Sequence, residues 1–132
     1  MICNQFMSVT PEKYLTKLLQ QLNSSYGAER SIKLLRSRIL DSRQLFSIHK
    51  NALGSSAEQT LLMMLKRLGF PAESYDVITS RLEDVDIVYF GYENSESGVL
   101  YKCYLEYAEN YLTALQSNST EPQLVHYAVK WT

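Results

Sequence analysis

Seven residues in the second half of the chain combine the side-chain types that build a polar binding pocket. They are Phe90, Tyr92, Lys102, Tyr104, Glu106, His126 and Lys130. Lysine supplies a cation for an anionic ligand, glutamate and histidine exchange protons, and the rings supply walls. The alternation of Lys102, Tyr104 and Glu106 is typical of one side of a β-strand. The sequence therefore predicts a ligand-binding set here, and it assigns no catalytic residue.

The same residue types also line the solvated face of an antiparallel sheet that binds nothing. Three rings, Phe90, Tyr92 and Tyr104, favour a binding surface, because a merely wet face does not select aromatic residues. Tyrosine is also a favourable strand residue and is enriched in partner interfaces. Both interpretations of this face stay open at the level of sequence.

The sequence lacks the residue patterns of metal sites, nucleotide-binding loops and nucleophilic serines. His49 and His126 are the only histidines, neither has a second ligand at helical spacing, and Cys3 and Cys103 are far apart in the chain. The five glycines form no phosphate-binding loop or dinucleotide fingerprint, and no serine stands in a nucleophile elbow. The sequence predicts no metal site and no cofactor.

Composition predicts a single domain over 1–132. The 132 residues are 45% hydrophobic and 20% charged, which is enough apolar material for a core. The net charge of −1 excludes a uniformly basic nucleic-acid coat. There is no apolar run of the roughly 18 residues that a membrane span needs, no basic and apolar leader at the start, and no disulfide framework. We therefore expect a cytoplasmic protein that does not act at a membrane.

Charge is divided between the two ends of the chain. Residues 1–50 carry 8 basic and 3 acidic side chains, whereas residues 51–132 carry 5 and 11. We expect the two parts to attract each other within the domain.

A second hypothesis is nucleic-acid binding by Arg36, Arg43 and Lys50, which recur every seven residues. No aromatic residue interleaves with that stripe, so nucleic acid is the less favoured partner.

The apolar spacing predicts a mostly helical N-terminal part. Thr10-Pro11-Glu12 is a helix start, and leucines follow it at helical spacing over about 11–22. A second helix is predicted over about 28–49, with the basic residues on its outer faces. Ser55 to Gln59 open a third helix that stops at Gly69, and Pro71 opens a short fourth.

The pattern then changes to a period of two, which predicts a hairpin over about 85–107 and a last strand over about 124–131. A five-residue loop, Asn94 to Gly98, pairs Tyr92 with Leu100. One apolar face then holds Val85/Tyr107, Ile87/Leu105 and Tyr89/Cys103 against the helices, with Asp86 opposite Glu106. A single helix over 99–117 is the alternative, and about 108–116 is helical in both interpretations.

The predicted fold is α+β, with a helical N-terminal two-thirds packed on a small, mostly antiparallel sheet. The helix-helix-strand-strand order and the tripeptide Lys102-Cys103-Tyr104 resemble one segment of the barrel of soluble aromatic prenyltransferases. That resemblance implies that Lys102 and Tyr104 face a lumen and meet a diphosphate. A complete barrel of that family is more than twice as long, and the acidic residues that orient its aromatic substrate have no counterpart here.

The strand-like end of the chain, Val129-Lys130-Trp131-Thr132, carries a further expectation. Either a second copy or the fold itself shelters this strand, or the chain is the first part of a longer one.

The favoured function is a non-catalytic binding or accessory module that acts through its tyrosine-rich sheet and edge as a homo-oligomer or with a protein partner. The alternative is a small-molecule enzyme or carrier whose pocket takes an anionic or aromatic ligand.

Overall fold

The computed structural model describes residues 10–22, 25–117, 122 and 124–132. Cys3 and the start of the chain, on which the leader prediction depended, lie outside these residues. The helices are α1 (Pro11–Gln20), α2 (Ala57–Arg67), α3 (Tyr75–Thr79) and α4 (Ala108–Ser117), with 3-10 turns at Lys50–Leu53 and Ala72–Ser74. The strands are β1 (Gly27–Leu34), β2 (Ile39–His49), β3 (Ile87–Ser95), β4 (Gly98–Glu106) and β5 (His126–Trp131).

The five strands form one sheet in chain order, and each neighbouring pair is antiparallel. Helices α2 and α3 lie in the connection from β2 to β3, and α4 lies in the connection from β4 to β5. The α+β class is therefore confirmed. The predicted arrangement, a helical N-terminal two-thirds packed on a C-terminal sheet, differs from the structure, because the N-terminal half contributes two strands of the sheet.

The start of α1 follows from its capping residues. Thr10 is extended, and its hydroxyl accepts a hydrogen bond from the Lys13 amide at 3.3 Å, with Pro11 at the first helical position. Leu15, Leu18 and Leu19 lie on the buried side of this helix. The helix predicted over 11–22 is confirmed. Helix α2 is confirmed by the burial of Leu61, Met64 and Leu65 on one stripe, whereas Ser56 at its start makes no side-chain capping hydrogen bond.

The helix predicted over about 28–49 is wrong, because this segment is the β1–β2 hairpin. The apolar residues with helical spacing do not form a buried stripe: Ile32 is 60% exposed and Ile39 is 63% exposed. What is buried is every second residue of β2, namely Gln44, Phe46 and Ile48. A period of two over these residues outweighs the helical spacing of the exposed ones. The nucleic-acid hypothesis loses the helix on which it depended.

The second hairpin, β3–β4, is confirmed, but its predicted register is wrong by one residue. Tyr92 faces Tyr101 rather than Leu100, and the loop is the two residues Glu96 and Ser97 before Gly98, whose φ is 125°. A two-residue loop fixes the strand ends more tightly than the predicted five-residue loop. Because side chains alternate, this shift turns every residue of β3 to the opposite face.

Strand β4 ends at Glu106 and α4 begins at Ala108, which confirms strand followed by helix over the single helix 99–117. Asp86, predicted to oppose Glu106 across the hairpin, instead accepts hydrogen bonds from the amides of Ala108 and Glu109 at the start of α4. The last strand is also confirmed. Trp131 is 7% exposed, and its indole N–H donates to the Leu68 carbonyl at 2.8 Å.

The core lies between α1, α2 and α3 and one side of the sheet, which we call the covered face. Its buried apolar side chains on the sheet are Phe46, Ile48, Val88, Phe90, Tyr92, Cys103, Leu105 and Trp131. The other side, which we call the polar face, carries Arg43, Leu45, Tyr89, Gly91, Glu93, Lys102, Tyr104, Glu106, His126 and Lys130. Within the described part of the chain, none of the helices is long and apolar enough to cross a membrane.

Candidate functional site

The polar face brings together five of the seven residues predicted from the sequence. Lys102, Tyr104 and Glu106 lie on β4, and β5 places Lys130 opposite Lys102 and His126 opposite Glu106. The register error removes the other two from this set. Phe90 is fully buried and Tyr92 is 7% exposed, both on the covered face.

The centre of the polar face is a carboxylate surrounded by cations. The Lys102 ammonium donates to Glu93 Oε2 at 2.9 Å, and Arg43 Nε lies 3.4 Å from the same oxygen. Lys33 reaches the other oxygen, Oε1, at 3.5 Å. The Lys102 hydrogen bond is the largest cause that holds the pKa of Glu93 below its usual range, against the opposing effect of burial. Glu93 is therefore ionised across the neutral range.

This cluster carries more positive charge than the carboxylate neutralises. Three cations share Glu93, and it is the single carboxylate within ion-pair distance of them among the described side chains. Lys102 is 7% exposed, so its charge is largely removed from water. Arg43 Nε is buried and makes no hydrogen bond with good geometry to any described residue, although Glu93 Oε2 lies within ion-pair distance of it. Buried donors are normally satisfied, so this one adds to the excess of donors over acceptors around Glu93.

Gly91 supplies the space beside these cations. It lies between Leu45 on β2 and Lys102 on β4, and a Cβ at this position would come within 3.1 Å of the Leu45 side chain and the Gln44 carbonyl. A cavity of about 110 Å³ opens here, and its lining includes Ser31, Arg43, Lys102 and Tyr104. It admits a group the size of a carboxylate or a phosphate.

A second polar group lies toward the far end of β4. The Tyr89 hydroxyl donates to Glu106 Oε2 at 3.1 Å, and His126 Nε2 lies 3.1 Å from Glu106 Oε1. Burial first, and then the charge of Glu106, raise the pKa of Tyr89, so its phenol stays protonated at neutral pH. Glu106 thus joins a hydroxyl donor to an imidazole on the exposed side of the sheet.

Sequence reasoning missed Lys33, Arg43, Tyr89 and Glu93. The first two were placed on a helix that does not exist, Tyr89 was assigned to the wrong face by the one-residue register shift, and Glu93 was assigned to neither face. The alternation from Arg43 to His49 was the available signal for the strand.

Three further features of the molecule bear on where chemistry could occur: a cavity beside α1, the potential metal ligands and the Cys103 thiol. A cavity of about 590 Å³ beside α1 is lined by Lys13, Lys17 and Arg67, which lie on the outer surface of helices. The described residues contain no cluster of three or more histidine, cysteine or acidic side chains that could hold a metal ion. Burial raises the pKa of the Cys103 thiol to about 12, so it is not a nucleophile at neutral pH.

No protein family, no curated protein and no solved structure matches this chain.

Proposed function

We propose that this chain is a binding module that holds a small organic anion against the polar face of its sheet. The observation that carries the proposal is the cluster of three cations around the single carboxylate Glu93, two of which, Arg43 and Lys102, line the adjoining cavity. A ligand carboxylate or phosphate in the adjoining cavity would accept from Arg43 and neutralise part of this charge.

The surroundings of the cavity indicate the rest of the ligand. Leu45 and Tyr104 supply an apolar side chain and a ring next to the cations, and both are half-buried. These walls favour a ligand whose anionic group is attached to an apolar or aromatic body.

The second polar group sets the length that such a ligand can reach. Lys102 and Glu106 are four residues apart on one strand, which is about 13 Å. A ligand of that length would place its anionic end at Arg43 and Lys102, and a hydroxyl or amine at Glu106 and His126. A shorter ligand would use the cationic end alone.

The resemblance to prenyltransferase barrels supports the same choice of face. It implies that Lys102 and Tyr104 face a lumen and meet a diphosphate, and both residues lie on the polar face, opposite the core. The inferred ligand class includes a diphosphate. The proposal is one of binding, with no reaction assigned to the site.

The proposal is tested by titrating the protein with phenyl phosphate and following backbone amide shifts by NMR, with benzyl alcohol as the uncharged control. We expect shifts at Gly91, Lys102 and Tyr104. Lys102→Met should weaken binding by about tenfold to a hundredfold, the value of a lost charge-assisted hydrogen bond.

Lys66→Met is the matched control, because it removes the same charge from an exposed position on α2. Its affinity should equal that of the parent. Equal affinity of the Lys102 variant, or shifts confined to the helices, would contradict the proposal. The amide spectrum of each variant also shows whether the fold is intact.

A further inference from the structure

Strand β1 is the edge of the sheet with the least cover. It is the first strand in the sheet order, it is paired with β2, and all eight of its residues are exposed. Leu34 is 72% exposed and Ile32 is 60% exposed, next to Ile39 on β2 at 63%. An edge strand with apolar side chains is a template for pairing with another strand.

The charges of β1 suit a copy of itself. Glu29 and Lys33 have opposite signs and lie on the same side of the strand, because Glu29 faces Leu45 and the Lys33 amine reaches Glu93, both on the polar face. In an antiparallel pair of identical strands, two such residues can face each other twice. Opposite charges that face each other across strands are stabilising, and like charges are destabilising.

Symmetry restricts the register of such a pair. A two-fold axis perpendicular to a continuous sheet keeps each face on its own side, so a residue faces itself or a residue an even number of positions away. An axis at Arg30 would place two guanidinium groups opposite each other. An axis at Ile32 would place Lys33 opposite Ser31 and leave Glu29 without a basic residue to face.

We propose that β1 pairs with β1 of a second copy about a two-fold axis at Ser31. Glu29 then faces Lys33 of the second copy twice, and Leu34 faces Ala28 of the second copy. The β-bulge between Ser31 and Lys33 lies next to the axis. The five-stranded sheets of the two copies become one continuous sheet of ten strands.

The pairing has a consequence for the polar face. Ser31 lines the small cavity next to Arg43, so a two-fold axis at Ser31 brings the cavities of the two copies side by side. The proposal does not depend on ligand binding, because it derives from the edge, the apolar exposure and the charges of β1 alone.

Sedimentation across roughly a hundredfold range of protein concentration tests the pairing. We expect a monomer–dimer equilibrium. Glu29→Lys alone and Lys33→Glu alone should each weaken dimerisation by about tenfold or more, since each creates two like-charge pairs. The double variant restores opposite charges across the axis and should dimerise more strongly than either single variant, even though Lys33→Glu also removes the ion pair with Glu93 of the same chain. Glu58→Lys makes the same charge change on the exposed surface of α2 and should have no effect.

Crosslinking tests the register independently of charge. In a Cys3→Ser background, Ser31→Cys should form a disulfide-linked dimer under mild oxidation, because Ser31 faces itself across the axis. Ser42→Cys, on the inner strand β2, should stay monomeric in the same assay. A monomer at every concentration, or a double charge variant that does not recover, would overturn the proposal.

Discussion

Glu93 shows how one carboxylate organises the polar face. It accepts from the buried Lys102 and lies within ion-pair distance of Arg43 and Lys33, which come from a different hairpin. Removing the carboxylate would leave a buried ammonium with less compensation than it has now. Such a loss costs more than the loss of an exposed ion pair.

The lowered pKa of Glu93 predicts a pH dependence of stability. A carboxyl whose pKa is lower in the folded than in the unfolded state stabilises the fold above its unfolded pKa. That contribution is lost as the pH falls through the folded pKa. The pH range of this loss therefore begins near the ordinary pKa of 4.5 and extends down through the lower pKa of Glu93 in the folded protein.

Glu93→Gln should therefore reduce the free energy of unfolding near neutral pH by about 2 kcal/mol. The difference from the parent should shrink below about pH 4, because both proteins then carry a neutral side chain. Urea denaturation over this range measures it. Glu96→Gln is the control, since Glu96 is 93% exposed and meets Arg38 at 3.9 Å. A Glu93 variant as stable as the parent at every pH would contradict the assignment.

At the scale of elements, the register of the β3–β4 hairpin decides which residues are available for binding. A shift of one residue exchanges Ile87 for Val88 in the core, because Val88 is fully buried and Ile87 is half-buried on the polar face. Two neighbouring substitutions distinguish the registers directly.

Val88→Asp should destabilise the fold by about 3 kcal/mol or more, through an unpaired buried charge. Ile87→Asp should cost about 1 kcal/mol or less, because its carboxylate reaches water and lies between His49 on β2 and the like charge of Glu106 on β4. Thermal and urea unfolding of the two variants provide the comparison. The opposite ranking would favour the register predicted from the sequence.

The sequence predicts the elements that have strong local signals. Helix α1 has a capping residue and a proline, α2 ends before a glycine with a φ of 79°, and β3 and β4 alternate clearly. It fails for β1 and β2, since the turn Leu35-Arg36-Ser37-Arg38 contains no glycine, proline or asparagine to mark a hairpin. The exposed Ile32 and Ile39 then imitate a helical stripe.

The candidate site was predictable only in part for the same reason. Alternation within each strand separates its two sides without a partner, and the apolar sides of β4 and β5 were correctly assigned to the core. The face of β3 depends on its pairing with β4, which the predicted loop shifted by one residue. Arg43 and Glu93 reach the site through strand pairing, and register is a property of the assembled sheet. No local pattern in the sequence determines this register.

The basic first part of the chain and its acidic second part are joined by several ion pairs. Lys33 and Arg43 from the basic part meet Glu93 from the acidic part, and Arg38 meets Glu96. The attraction expected between the two parts is thus present as ion pairs, which join the first hairpin to the second.

Cover on the sheet is uneven, which predicts uneven local stability. Strands β3 and β4 lie at the centre of the sheet, where Val88, Phe90, Cys103 and Leu105 are fully buried. Strand β1 has one pairing partner in the described chain and no buried residue. Local opening is easiest where few apolar contacts must be broken.

Amide hydrogen exchange at low protein concentration should therefore be slowest in β3 and β4 and fastest in β1 among the strands. The gradient follows burial, since the centre opens only with the whole domain while the edge frays. Raising the concentration should slow exchange in β1 and leave β3 unchanged, because only β1 gains a strand from a second copy. Protection of β1 equal to that of β3 in dilute protein would show that the edge is already covered within a single chain.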